Sequence, residues 1–162
     1  MNSKFTWTAY IPACIFTGIS IAAVFCIAVC FYPGLSSMLF ILIPAVLFAV
    51  FTLVWLAYGE MRTKIIRLTL EYDHMVIKRY YGLGKPETIY YTDLDGFNIA
   101  FLPAAYTSYE YLYLMRGGKK IGKLSQFYHK NYADLKADLQ THIKYLDVID
   151  YNSWQEIKDI FG

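Results

Sequence analysis

The side chains whose types invite chemistry in this 162-residue chain are three histidines, three cysteines and two basic clusters. His74, His129 and His142 are far apart, and none stands at ligand spacing from a cysteine or another histidine, so the pattern does not point to a metal centre. Asp93-Leu94-Asp95-Gly96 opens like a calcium loop but lacks the closing glutamate at the required distance, and reads as a polar turn. Gly82-Leu83-Gly84-Lys85 is rich in glycine, yet Pro86 follows where a phosphate loop would start its helix. Ser108 and Ser125 lack a Gly-x-Ser-x-Gly setting. No cysteine lies beyond Cys30, which removes a thiol nucleophile from the rest of the chain. The expectation is a protein that binds without catalysing, with no cofactor and no metal.

The basic clusters are Arg116, Lys119, Lys120 and Lys123 around Gly117-Gly118, with Lys130 following, and Lys78-Arg79 ahead of Tyr80-Tyr81. Three readings stay open for them. A lysine-rich hairpin tip can simply be solvated. Beside a bilayer it can meet anionic headgroups, at about 1 kcal/mol per charge. It can also take a small anionic ligand such as a nucleotide, with tyrosine faces for stacking and lysine or arginine for phosphate. Lys78, Arg79, Arg116, Lys119, Lys120 and Lys123 are therefore the candidate ligand- or lipid-binding residues. A net charge of only +2 argues against a nucleic-acid duplex as partner.

What positions these residues is set by an uneven charge distribution. The chain is 57% hydrophobic and 17% charged, with a mean hydropathy of +0.33, against about 25% charge for an ordinary soluble domain. The whole deficit falls in residues 5–59, where no Asp, Glu, Lys or Arg occurs. Two apolar runs, Ala9–Tyr32 and Met38–Tyr58, flank Pro33-Gly34-Leu35-Ser36-Ser37. At 1.5 Å per residue each helix reaches at least about 30 Å, the thickness of a bilayer's hydrocarbon core, and so short a link makes an antiparallel transmembrane hairpin. Lys4 precedes the first span while Arg62, Lys64 and Arg67 follow the second, which puts both termini on the cytoplasmic side of the inner membrane. Trp7, Tyr10, Trp55 and Tyr58 mark one interface, and Phe31 and Tyr32 the other. A cleaved signal peptide fits poorly with one lysine, a span of about 24 residues and a second span behind it. A lipoprotein site at Cys30 fits less well, because Val29 is large where a small residue is needed.

All three cysteines lie in the first span, where they form neither a disulfide framework nor a zinc site. Cys14, Gly18, Ala22, Cys26 and Cys30 instead make a row of small residues at intervals of four, which lets another helix backbone come close. That helix is either the second of the same hairpin or one from another copy of the chain. Pro44 interrupts the second helix.

Beyond Glu60 the periodicity changes. Ile66, Leu68, Leu70 and Tyr72 alternate with polar residues as in a half-buried strand. Met75–Tyr81, Glu87–Tyr91, Phe97–Leu102, Tyr109–Arg116 and Lys119–Phe127 follow as strands, the last two joined by a two-residue Gly-Gly hairpin turn. Tyr109, Tyr111 and Tyr113 share one strand face, and Leu112 and Leu114 the other. A helix is expected over 131–146, capped by Asn131 with Asp134, with Tyr132, Leu135, Leu139, Ile143 and Leu146 as its apolar stripe. Ser153 and Glu156 form a capping box for a short amphipathic helix within 149–162, its Trp154, Ile157, Ile160 and Phe161 turned to the domain or to lipid. The fold class is α+β. An N-terminal hairpin (1–59) precedes a small antiparallel β-sandwich or barrel closed by a helix (60–148).

The order of hairpin, strands, Glu87-Thr88-Ile89-Tyr90-Tyr91-Thr92-Asp93-Leu94-Asp95-Gly96-Phe97 and a helix opened by FYHKNYADLKADL resembles bacterial two-span membrane proteins with a cytoplasmic pleckstrin-homology-like (YcxB-like) domain. Ile89-Tyr90-Tyr91-Thr92-Asp93-Leu94 is similar to the signature of that family's third strand, and the likeness covers roughly 60–146. It implies a seven-stranded β-sandwich with one C-terminal helix, generally non-catalytic, in a family some of whose members form rings or scaffolds. Phosphoinositide-binding members carry several basic residues at the first hairpin, whereas this one reads Glu71-Tyr72-Asp73-His74 with only Lys78, Arg79 and Lys85 nearby. The leading expectation is a membrane-anchored binding or sensing module. Two others are a ligand-gated effector of an antiphage system, answering to an anionic signal such as a cyclic nucleotide and breaching the bilayer through clustered hairpins, and a membrane immunity protein against a toxin. The implied partners are the lipid bilayer, further copies of the chain, and a small anionic ligand or a partner protein.

Overall fold

The computed structural model describes residues 1–30, 39–103 and 107–151. The link at 33–37, the aromatic pair Phe31 and Tyr32, the side chain of Cys30 and the amphipathic helix expected beyond Tyr151 lie outside the described residues.

A 3-10 turn, Trp7–Tyr10, leads into helix α1, Ile11–Cys30, which has Pro12 in its first turn, where a missing N–H costs nothing. Helix α2, Leu39–Val54, contains Pro44 and widens into a π-helical turn, Trp55–Met61, closed by the Arg62 N–H donating to the Ala57 carbonyl at 3.1 Å. Trp7–Val29 and Leu42–Met61 are each long and apolar enough to cross a membrane. Thr17, Ser20 and Thr52 donate to the carbonyls of Ala13, Phe16 and Phe48 four residues back, so the few hydroxyls on these helices are satisfied internally.

Among the described residues, six strands precede the helix at Tyr132–His142: β1 Arg67–Leu70, β2 His74–Lys78, β3 Glu87–Tyr90, β4 Gly96–Pro103, β5 Ser108–Arg116 and β6 Lys119–Ser125. The first three form one antiparallel sheet. The second sheet has the order β6-β5-β4-β7, where β7 is Tyr145–Val148. Alternation does its work: Leu68, Leu70, Met75, Ile77 and Ile89 from the first sheet meet Phe97, Leu112, Leu114 and Leu124 from the second. Helix α3, Tyr132–His142, closes this core with Tyr132, Leu135 and Leu139. Tyr72 does not join the β1 stripe, because β1 ends at Leu70 and leaves that ring 92% exposed on the turn. β2 stops at Lys78, and Tyr80 and Tyr81 then take φ values of 52° and 60°.

The closing helix is shorter than the 131–146 its apolar stripe suggests. Ile143 is already extended (φ −131°, ψ 149°), and Tyr145–Val148 pairs parallel to β4, placing Leu146 on a strand instead of the helix. Gly96 makes room for this. At its φ of +143°, a Cβ would collide with the Lys144 carbonyl oxygen and come within 2.9 Å of Leu146 Cγ. The neighbouring Phe97 N–H donates to that same carbonyl at 2.9 Å. Asn131 does not cap α3 with its side chain either. Its Oδ1 accepts the Lys4 N–H at 2.7 Å and its Nδ2 donates to the Asn2 carbonyl at 2.9 Å, so the amide is spent on the N-terminal segment.

That segment belongs to the β-domain. Met1–Ser3 lies antiparallel along the open edge of β1, with Asn2 opposite Thr69, and the chain then crosses to the segment before α3, with Phe5 opposite His129. The Leu70 N–H donates to the Met1 carbonyl (2.7 Å) and the Ser3 N–H to the Leu68 carbonyl (2.8 Å), while the Met1 amine also reaches the Leu70 carbonyl. The buried Ser3 hydroxyl accepts the Leu68 N–H at 2.9 Å. The chain thus starts in the sheet, leaves through α1, and returns through the π-helical turn into the adjacent strand.

Gly96→Ala is expected to cost about 1–3 kcal/mol for the backbone conformation alone, lowering the thermal midpoint of the full-length chain in mild detergent by at least about 5 °C. Gly117→Asn, at a φ of +55° with nothing within 4 Å of its Cβ position, is expected to change it far less.

Candidate functional site

Two places combine charge, aromatic surface and burial. The first is the joint where the apolar helices enter the β-domain. Ala9, Ile65 and Tyr128 are buried there, with Phe5, Met61, Tyr81 and Phe127 packed around them. Thr6 and Thr8 both donate to the Phe127 carbonyl, at 2.8 and 2.6 Å. Glu60, the first acid after the uncharged block, receives the Tyr128 hydroxyl at 3.0 Å and Lys64 Nζ at 2.5 Å. Burial first, and the Glu60 carboxylate second, hold the Tyr128 phenol well above its usual range, so it stays a donor.

His129 is the hub of this joint, 1% exposed. Its Nε2 donates to the Ile66 carbonyl at 2.9 Å, and its Nδ1 faces Ser125. Phe5 packs on the ring at 5.5 Å and pairs with residue 129 through the backbone. Burial pushes the His129 pKa below the ordinary histidine value, so the imidazole is held neutral. Nothing in the spacing of the histidines marks this role; the burial that defines it comes from segments 60 and 120 residues away in the chain.

The second place is the outer face of the four-stranded sheet. Leu112 and Leu114 of β5 point into the core, which turns Tyr111 and Tyr113 outward. Those rings are nevertheless only 4% exposed, because Leu102, Met115, Ile149 and Tyr151 cover them with Ala100 beneath. Lys123, itself buried, lays its Nζ 3.8 Å from the Tyr111 ring centre and 5.1 Å from that of Tyr113, and Lys120 sits 4.7 Å from Tyr113. Such contacts contribute about 2 kcal/mol each when desolvated.

The basic residues singled out in the sequence therefore do not form one cluster. Lys120 and Lys123 lie on tyrosine faces, while Arg116 and Lys119 are the exposed pair flanking the Gly117-Gly118 turn, whose Gly118 N–H is held by Asp95 Oδ2 at 2.8 Å. That aspartate is a turn anchor. Arg79 is committed elsewhere: its Nη2 donates to the Ile121 carbonyl at 3.1 Å and lies 3.5 Å from Glu87. Lys78 pairs across from Arg67 on the first sheet. At the tip of that sheet, His74 Nδ1 sits 2.6 Å from Asp73, whose carboxyl is held below its usual range by that contact.

In the row of small residues, Cys14, Gly18 and Ala22 are exposed and Cys26 is half-buried. A Cβ on Gly18 would meet nothing within 4 Å. Ala22 and Cys26, with Ile19 and Ala23, line one side of a cleft of about 260 Å³ whose other wall is Ala45, Val46, Ala49 and Thr52 of α2. The row thus touches the cleft at one end and turns away from α2 at the other.

Compared with models of protein families, with curated proteins and with solved structures, the chain matches none. Its class is defined by its own architecture: an α+β chain of two long apolar helices, a three-stranded and a four-stranded sheet, and a short helix packed against them.

His129 gives a pH signature. With a folded pKa below its unfolded one, it contributes stability that is present above about pH 6.5 and lost as pH falls towards the folded pKa. Stability is expected to drop by up to about 1.4 kcal/mol per pH unit in that window. His129→Gln, which keeps a donor for the Ile66 carbonyl, is expected to be less stable at pH 7.5 and to show a flatter loss between pH 6.5 and 5, measured by urea denaturation in detergent.

Proposed function

We propose that this chain is a non-catalytic, membrane-anchored binding module: a helical hairpin that crosses the inner membrane twice and holds the β-domain on the cytoplasmic side. The observation that carries this reading is where the apolar surface goes. Only 6% of the first candidate span and 11% of the second is buried within the chain. Phe25, Val24, Phe48 and Leu47 are each about two-thirds exposed, although the β-domain beside them has a complete core of its own. A core helix of a soluble protein buries its apolar face; these two leave theirs exposed, which supports lipid as their surroundings. Removal of the first helix as a signal peptide would also strip Met1–Ser3 from the sheet. Lys4, Arg62, Lys64 and Arg67 support that orientation.

A pleckstrin-homology-like arrangement is supported by the strand count. With Met1–Ser3 taken as a strand, seven strands in two antiparallel layers precede α3, and the hairpin is an insertion between the first two of them. β7, parallel to β4 and beyond the helix, is an addition to that arrangement. The basic rim of Arg116 and Lys119 beside the tyrosine face is the surface best suited to an anionic ligand, and access to the tyrosines themselves requires lifting Ile149 and Tyr151.

In bacterial spheroplasts, protease added outside is expected to spare Gly59–Gly162, and in inverted vesicles to digest it, with the full-length chain staying in the carbonate-washed membrane pellet. Digestion from the outside, or recovery of the chain in the aqueous fraction, sinks the reading.

One observation favours a second reading, the effector that assembles through its hairpin. Cys14 and Gly18 present exposed small residues, with nothing within 4 Å of a Cβ at Gly18, open to a helix of another copy, while Ala22 borders the cleft facing α2. Gly18→Leu is expected to reduce cross-linked oligomers in membranes at least several-fold while leaving insertion intact; unchanged oligomers leave the plain anchor.

A further inference from the structure

The segment between β2 and β3 has a feature that the binding reading does not use. Tyr80, Tyr81 and Gly82 run consecutively at φ values of 52°, 60° and 93°, a conformation that costs side-chain-bearing residues energy and persists only where its surroundings impose it. The surroundings here are the foot of the first helix. The Tyr81 hydroxyl donates to the Ala9 carbonyl at 2.7 Å, its ring stacks on Tyr10 at 5.7 Å, and Phe5 meets it edge-on at 5.9 Å. The Tyr81 N–H donates to the Ile65 carbonyl at 3.1 Å, and the Gly82 and Gly84 N–H groups both donate to the Arg79 carbonyl, at 3.1 and 2.9 Å. The loop is therefore clasped beside residues 9 and 10, inside the first apolar span of Trp7–Val29.

From this clasped loop Leu83 projects 88% exposed, the least covered large aliphatic side chain among the described residues of the β-domain, with Lys85 exposed two residues on. A lone exposed leucine is ordinary on a soluble surface. This one comes two residues after Tyr81, whose ring stacks on Tyr10; Trp7 and Tyr10, 76% and 53% exposed, and Tyr58, 47% exposed at the end of the second helix, are aromatic residues of the kind that marks a membrane–water interface.

We propose that the 80–85 loop is a third membrane contact, with Leu83 seated among the lipid chains just below the headgroups and Lys85 among the headgroups themselves. The inference rests on the hairpin spanning the bilayer. A side chain seated at a third point away from the two helices fixes the tilt of the β-domain against the membrane, which two helices leaving from neighbouring strands do not do alone. Rigid left-handed tyrosines suit that task, since a flexible loop would let the leucine withdraw.

The test uses the full-length chain with Cys14, Cys26 and Cys30 replaced by alanine, carrying one cysteine at Leu83, Ile21 or Tyr72, each labelled with an environment-sensitive fluorophore. It is reconstituted into phosphatidylcholine–phosphatidylglycerol vesicles containing nitroxide lipids. Ile21 is a mid-helix position, and Tyr72 lies on the turn at the other end of β1, about 20 Å from Ile65 at strand rise. The label at 83 is expected to be quenched by shallow nitroxides at least twofold more than the label at 72, and the label at 21 most by deep nitroxides. Quenching at 21 with none at 83 overturns the loop proposal and leaves the hairpin standing. Loss of quenching at 21 overturns both.

Discussion

Everything in this molecule hangs on the pairing of Met1–Ser3 with β1 and of Phe5 with His129. Those few backbone hydrogen bonds tie the beginning of the first apolar helix into the same sheet that receives the end of the second. His129 and Asn131 then lock the segment from the other side, one through ring packing and the other through its amide. A neutral buried imidazole suits this place because it gives a directional bond to Ile66 without bringing a charge into the joint.

The arrangement creates a geometric mismatch that the chain resolves locally. Neighbouring strands run about 4.8 Å apart, whereas packed helices need about 8–10 Å between their axes. The tight 3-10 turn at Trp7–Tyr10 and the wide π-helical turn at Trp55–Met61 fall where the spacing must change. Glu60 sits in the wide turn and is held by Tyr128 and Lys64, so the irregular backbone is tied down where it departs from the helix.

The two apolar helices and six of the strands were legible in the sequence because each carries its own period and its own punctuation. Gly117-Gly118 and the alternation in β5 are local signals, and they put Leu112 and Leu114 on one strand face and the tyrosines on the other; that the leucine face is the buried one is set by the packing of the two sheets. The misses are all non-local. Asn131 looks like a helix cap until a backbone 127 residues earlier competes for its side chain. Leu146 continues a helical stripe, yet β4 offers a free edge and Gly96 leaves space, so the chain becomes a strand. Tyr80 and Tyr81 carry strand propensity, and only the foot of α1 makes their left-handed backbone worth its cost. The candidate site was legible as residue types and not as an assembly. Lys120 and Lys123 were visible as charges, but burial of Lys123 against Tyr111 depends on Ile149 and Tyr151 crossing the outer face.

Because the hairpin interrupts a sheet between adjacent strands, the order of synthesis matters. Met1–Ser3 is synthesised before its partner β1, which begins only at Arg67, after both apolar helices have been made. The nascent edge has nothing to zip against until the intervening segment has been made, so closure of the β-domain brings together chain segments that synthesis separates by both helices.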